Sequence, residues 1–415
     1  MPPPYKMLSL AGHDVIQHPD NSAGAHINDY NYFGNRTDVL AWQGSHWLRP
    51  WVSWYDCQQN FWAQYGRLPT GWEETFNYLS GTSPTRDYFA HLDHIIGQAN
   101  ADGVPVILVN DARTPTWSKN ANPNGAWVPW TASEPNTGKG PEYKFPDNLD
   151  PASPWGIWII YLICRYRAGV AARGDGSGPT SSNIYGNPYG AAVYGLEIIN
   201  EPNAQKDQGC WPLDGYAGCR VATMMKSARD NAVFHGWNST GQVMVGPATA
   251  DKPDDVYVNG TRETMSYLNF TNAVLDNVQG WNPAPLYFAW SHHNYRDTTN
   301  GNCTYLDTVR SRLIARNWKT VAEGNVWLTE GGRPYDVTNK TAAEVTALEN
   351  DQNSKVQSMW GQLKQRSWAL VWTQHTINDR AGTQLKYGIR RDFQETPTRQ
   401  QGSAKPLYST WRDLL

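Results

Sequence analysis

The chain has 415 residues, 40% of them hydrophobic and 18% charged, with a formal net charge of -3. That balance fits a soluble globular protein with a large core. With no basic block and no apolar run of membrane-spanning length, it argues against a nucleic-acid or membrane partner. Aromatic usage is skewed, with 21 Trp and 22 Tyr against 9 Phe. Trp and Tyr join a flat apolar face to a polar edge, which suits a sugar ring as well as it suits a core.

Taken in order, the first 40 or so residues are polar and irregular. They predict an N-terminal decoration over about 1–44, with a weak strand at Tyr5 to Leu10. His13 and His18 flank HDVIQH beside Asp14; without a helical pattern they read as a solvated loop, and no metal site is expected. The start MPPPYKMLSL lacks a charged region followed by an apolar one. Six N-x-S/T sequons, at Asn35, Asn238, Asn259, Asn269, Asn302 and Asn339, favour a secreted or extracytoplasmic protein whose signal peptide is not in this sequence.

From His46 the pattern alternates short apolar runs with helical periodicity. Strands are predicted at His46 to Trp54 and Gly103 to Asn110, with a helix at Thr85 to Ala101 between them. A Pro- and Trp-rich loop leads to an apolar helix at Trp155 to Arg167. The segment GDGSGPTSSNIYGNPYG follows; it has no GK[ST] and reads as a surface loop rather than a phosphate cradle. Further strands are predicted at Ala192 to Ile199, Gly241 to Val245, Leu286 to Trp290, Asn325 to Thr329 and Trp368 to Trp372. Helices are predicted at Arg220 to Phe234, at Ala342 to Gln365 and in the tail KPLYSTWRDLL. Eight strands alternating with helices predict a (β/α)8 TIM barrel with long loops at its C-terminal face. No linker divides the chain, so residues 1–415 are expected to form one domain.

Five cysteines, Cys57, Cys164, Cys210, Cys219 and Cys303, are too few for a disulfide scaffold and show no zinc spacing. Cys210 and Cys219 share one loop that a disulfide would close; Cys164 is expected to be a buried thiol. There is no G-x-S-x-G elbow for a serine hydrolase.

Two strands end in carboxylates. YGLEIINEPN puts Glu201 just past one, and NVWLTEGG puts Glu330 at the end of another. In such a barrel functional groups sit at strand C-termini, so both are predicted to enter one pocket. A single Glu after a strand often only complements a helix N-terminus. Two in these contexts match the two carboxyl groups that hydrolysis of a glycosidic bond requires. Glu197, mid-strand, competes as a buried carboxylate and is expected to pair with an arginine inside the barrel.

With INEPN and LTEGG, the chain resembles the retaining enzymes of glycoside hydrolase clan A over roughly Ser45 to Leu415. TPTW (Thr114 to Trp117) and VGPA (Val245 to Ala248) resemble family 39 and its relatives. The resemblance implies Glu201 as acid/base, its pKa raised beside a like charge, and Glu330 as nucleophile. It further implies that Asn200 binds a sugar 2-hydroxyl and that Tyr295 and Arg49 hold Glu330 as a carboxylate. Trp117 and Trp372 would stack on the substrate, and His293 would join the site, with His292 beside it an equal candidate. The expected ligand is a β-linked oligo- or polysaccharide, cleaved internally, with no cofactor. An exo-acting, transglycosylating, α-linked or furanoside-specific enzyme on the same residues stays open, as does a binding protein on a decayed barrel. The sequence carries no signal for oligomeric state.

Overall fold

A computed structural model describes residues 7–11, 46–81, 85–135, 138–168, 190–204, 210–237, 240–278, 288–318, 325–375, 379, 384–391 and 403–414. Its centre is a closed parallel barrel. The strands are β1 (Met7–Ala11), β2 (His46–Arg49 and Trp51–Val52), β3 (Ile107–Asn110), β4 (Gly195–Glu197), β5 (Val243–Thr249), β6 (Phe288–His293), β7 (Val326–Glu330) and β8 (Ala369–His375). Each pairs in parallel with its sequence neighbours, and β8 returns to β1 through Met7 opposite Val371. Pro50 interrupts β2 because it has no N–H to donate. Its carbonyl still accepts the Val109 N–H at 2.9 Å, so the sheet closes there.

Alternation along the strands sorts side chains between two cores. Trp47, Ile107, Val243, Val245, Ala289, Trp327 and Val371 form one compact cluster drawn from six strands, the barrel interior. Tyr194 stacks on the Trp327 ring at 6.1 Å. Gly195 makes room for that ring, since a Cβ there would lie 3.1 Å from it. The larger core lies between sheet and helices and holds Trp54, Phe89, Trp155, Trp158, Trp290 and Trp411 among others.

The helical layer includes α1 (Thr85–Ala101), α2 (Pro154–Arg165), α3 (Ala217–Phe234), α4 (Tyr267–Asn277), the short α5 (Tyr295–Asn300), α6 (Thr304–Ala315), α7 (Ala342–Leu363) and α8 (Pro406–Arg412). Local signals set their ends. Ser153 accepts the Gly156 N–H and Pro154 takes the first position of α2. Thr341 and Glu344 form a capping box on α7. Among the described residues no helix is long and apolar enough to cross a membrane.

The structure corrects several expectations. The weak strand expected at Tyr5 to Leu10 is present as Met7–Ala11, the first barrel strand, so the stretch 1–44 is not decoration throughout; residues 12–45, with His13 and His18, lie outside the described residues. β5 does not stop at Val245 but runs to Thr249, so VGPA is strand. Gly and Pro are tolerated there because the register with β6 shifts between Gly246 and Thr249, where no ladder N–H is needed from Pro247. β6 and β8 likewise run three residues past their expected ends, to His293 and His375. None of the five cysteines forms a disulfide. Cys210 is buried against the Ala112 carbonyl while Cys219 is exposed on α3, so the disulfide that would close their loop, left open by the sequence, is absent.

Candidate active site

Both carboxylates sit at the C-terminal end of the barrel. Glu330 closes β7 and is 5% exposed. Glu201 lies four residues beyond the end of β4 with φ 40°, left-handed backbone that a non-glycine residue adopts only at a cost. Its N–H donates to the Ala248 carbonyl at 3.1 Å and its carbonyl accepts the Ala204 N–H at 3.0 Å. The turn after Glu330 needs glycine: a Cβ on Gly331 would fall 2.0 Å from Asn294 Oδ1, and Gly332 has φ 140°.

The pair is bridged by His293. Its Nδ1 lies 2.7 Å from Glu201 Oε1 and its Nε2 3.9 Å from Glu330 Oε2. One oxygen of each carboxylate and one ring nitrogen lie within 4.8 Å of one another. Burial disfavours the imidazolium, but Glu330 and the hydrogen bond to Glu201 outweigh it and raise the His293 pKa. His292 points the other way and its Nδ1 lies 2.9 Å from Thr249 Oγ1. Burial and the neighbouring His293 push it down to about 3. The choice left open between the two histidines falls to His293.

Glu330 accepts two hydrogen bonds, and a third polar side chain stands beside it without donating to it. Arg49 at the end of the first β2 segment, fully buried, donates from NH1 to Oε2 at 2.9 Å. Tyr295, opening α5, donates its O–H to Oε1 at 2.5 Å. His375, ending β8, brings Nδ1 to 3.2 Å from Oε1. Arg49 also donates from Nε and NH2 to Glu197 Oε2 at 3.0 and 2.8 Å, and from NH2 to Asn200 Oδ1 at 3.2 Å. Glu197 Oε1 accepts the Thr329 hydroxyl at 2.7 Å. The expected arginine partner of Glu197 is therefore Arg49, one cation shared between two carboxylates. Burial works against the Arg49 charge, but Glu197 and Glu330 raise its pKa overall. Burial, then Glu330 and Glu201, raise the Tyr295 pKa well above the usual phenol, so it stays a donor.

Glu201, His293 and Glu330 also have metal-ligand chemistry. A divalent cation there would stand against the Arg49 guanidinium, and Glu330 already receives Arg49 and Tyr295, so the arrangement fits two working carboxyl groups better.

Two expected residues are elsewhere. Trp117 is fully buried in a one-turn helix, Thr116–Ser118. Its Nε1–H donates to the Gln58 carbonyl at 2.7 Å and Trp54 meets it edge-on at 5.7 Å. Trp372 is 2% exposed, stacked on Trp360 at 6.2 Å and meeting Trp411 at 4.8 Å. Neither offers a face for stacking. Trp372 misses the site because it is mid-strand and points outward, opposite in parity to Val371 and His375. The residue that does reach Glu330 is His375, with Tyr387 edge-on to it at 5.0 Å and to Tyr295 at 5.6 Å. Counting by twos from Val371 finds His375; nothing local points to Tyr387. Asp251, two residues beyond β5, was also missed. It is 6% exposed, accepts the Arg296 N–H and is pushed up to about 7, mainly by burial, with Glu201 adding to the rise.

No protein-family model and no curated protein matches this sequence. Solved structures do. Fpglu1 from Fervidobacterium pennivoraus aligns over 100% of this chain and 96% of its own, at 12% identity and TM-score 0.57. A glucosidase from Croceicoccus marinus aligns over 99% and 67%, at 12% identity and TM-score 0.54. A family 10 glycoside hydrolase, the xylanase from Bispora sp. MEY-1 with xylobiose, aligns over 99% and 97%, at 12% identity and TM-score 0.53. The likeness is one of fold, a (β/α)8 barrel across the whole chain. The specific resemblance to family 39 gains no support from it.

Proposed function

We propose that the chain is a retaining glycoside hydrolase that cleaves a β-linked oligo- or polysaccharide by double displacement. The observation that carries this reading is the short gap between Glu201 and Glu330, with oxygens within 4.8 Å of each other. Retaining enzymes keep their carboxyl groups about 5 Å apart, whereas inverting ones leave about 6.5 to 9.5 Å for a water. The barrel's likeness to known glycosidase structures agrees with it.

Glu330, ionised, attacks the anomeric carbon as the glycosidic C–O bond breaks, and Glu201 passes its proton to the departing oxygen. Water then adds to the anomeric carbon, giving a proton back to Glu201 as the ester to Glu330 breaks. Arg49 and Tyr295 orient the nucleophile, and His293 orients the acid/base. Asn200, its carbonyl end turned to Arg49, presents its amide N–H to a sugar 2-hydroxyl. The segments after β2 and β3 leave the barrel at the end that carries Glu201 and Glu330, and their length favours an open cleft and internal cleavage.

The test is hydrolysis of a panel of β- and α-linked polysaccharides and aryl glycosides by wild type, Glu201→Ala and Glu330→Ala. Wild type should release product with net retention, seen by proton NMR. Azide should rescue the two variants to glycosyl azides of opposite anomeric configuration. A variant that keeps full activity, or an inverted first product, overturns the assignment.

A further inference from the structure

We propose that a surface cavity formed by residues 65–78 is a second glycan-binding site, separate from the catalytic pair, that holds a neutral polysaccharide chain on the enzyme. The ligand class rests on the glycoside hydrolase reading; the site itself rests on the residues below.

Of the 21 tryptophans, most are core. Among the described residues only Trp72 is exposed, at 50%. It opens the helix Trp72–Gly81, and one turn on Phe76 is buried beneath it and meets the Trp72 ring edgewise at 5.4 Å. Nearby, the helix Phe61–Tyr65 stops at Gly66, whose φ of 64° turns the chain so that Tyr65, 41% exposed, lines the same hollow as Trp72. Tyr78 completes the aromatic lining of a cavity of about 650 Å³. Leaving a tryptophan half in water forfeits burial of a large apolar face, and a sugar's C–H face would cover it.

The polar rim is fixed in advance. Glu74 accepts the Thr70 N–H at 2.7 Å, the Thr70 hydroxyl at 3.0 Å and Arg67 NH1 at 2.8 Å. Hydrogen bonding by Arg67 holds the Glu74 carboxyl down to about 2, so it is an ionised acceptor at working pH. Arg67 also lies over the Tyr65 ring at 5.7 Å, which ties the rim to the aromatic floor. The Asn77 amide adds a donor and an acceptor on the same wall. Planar hydrogen-bonding groups beside aromatic rings match vicinal hydroxyls around an apolar sugar face. Glu73 and Glu74 on the wall disfavour an acidic glycan, and neither Glu201 nor Glu330 lines the cavity.

The experiment is native electrophoresis through gels cast with konjac glucomannan, barley β-glucan or wheat arabinoxylan. It compares Glu330→Gln with Glu330→Gln carrying Trp72→Ala or Tyr65→Ala, with circular dichroism melts to establish folding. In parallel, wild type and Trp72→Ala are assayed on a small aryl glycoside and on the retarding polymer. The expected result is retardation in at least one gel, weakened about ten-fold by Trp72→Ala. Aryl-glycoside kcat/KM should stay within about two-fold while activity on the polymer falls. Retardation unchanged by either substitution, or no retardation in any gel, overturns the second site even if hydrolysis is found. Retardation that depends on Trp72 in a protein that cleaves nothing leaves the site standing and removes the hydrolase reading.

Discussion

Asp251 makes the protein's stability depend on pH in a way that one substitution removes. The carboxyl is 6% exposed at the active-site end of the barrel, and burial, eased by the Arg296 N–H and worsened by Glu201, lifts it from 3.8 to about 7. The folded state then holds this proton more tightly than the unfolded chain does. Its contribution is fully present below pH 3.8, declines as pH rises and is gone above about 7. A shift of about three units at ~1.4 kcal/mol each sets an upper limit on the order of 4 kcal/mol. Asp251→Asn keeps an amide oxygen for the Arg296 N–H and cannot ionise. Urea midpoints taken from pH 4 to pH 8 should therefore coincide for the two proteins at the acid end. They should separate by up to that amount at the alkaline end, with the variant the more stable. Parallel curves across the range would refute the reasoning, because they would mean that Asp251 titrates alike in the folded and unfolded chains.

Tyr295→Phe removes the hydroxyl that lies 2.5 Å from Glu330 Oε1; it should lower kcat by about 10- to 100-fold with little change in melting temperature. Arg49→Met leaves Glu197 and Glu330 buried without their shared cation, and chemical denaturation should show a loss of about 3 to 5 kcal/mol together with loss of activity. Trp372→Ala, between Trp360 and Trp411, should cost about 3 to 5 kcal/mol while the KM for a small aryl glycoside holds; a large rise in KM would restore it to the substrate cleft.

Much of the barrel was legible because its signals are local. Apolar runs bounded by Gly and Pro mark β3, β4 and β7, and apolar or helical patterning marks α2 and α7. Strand ends were harder, because the rule that Gly-Pro stops a strand fails where the register shifts, as in β5. The carboxylates of INEPN and LTEGG could be placed at strand ends from sequence, and the structure brings Arg49, Asn200, His293 and Tyr295 around them.

The sequence by itself determined the βα alternation and which strands end in acid, since both follow from near neighbours along the chain. Only the tertiary structure decided which face of each strand is interior. Closing the barrel fixes that parity, which turns His293 and His375 inward and His292 and Trp372 outward. Exposure was decided at the same level. Trp117 and Trp72 are the same side chain, each just past a Pro-Thr pair, yet one is sealed by Trp54 and Gln58 and the other meets solvent. Burial is a property of the surroundings, and those surroundings come from residues distant in the chain.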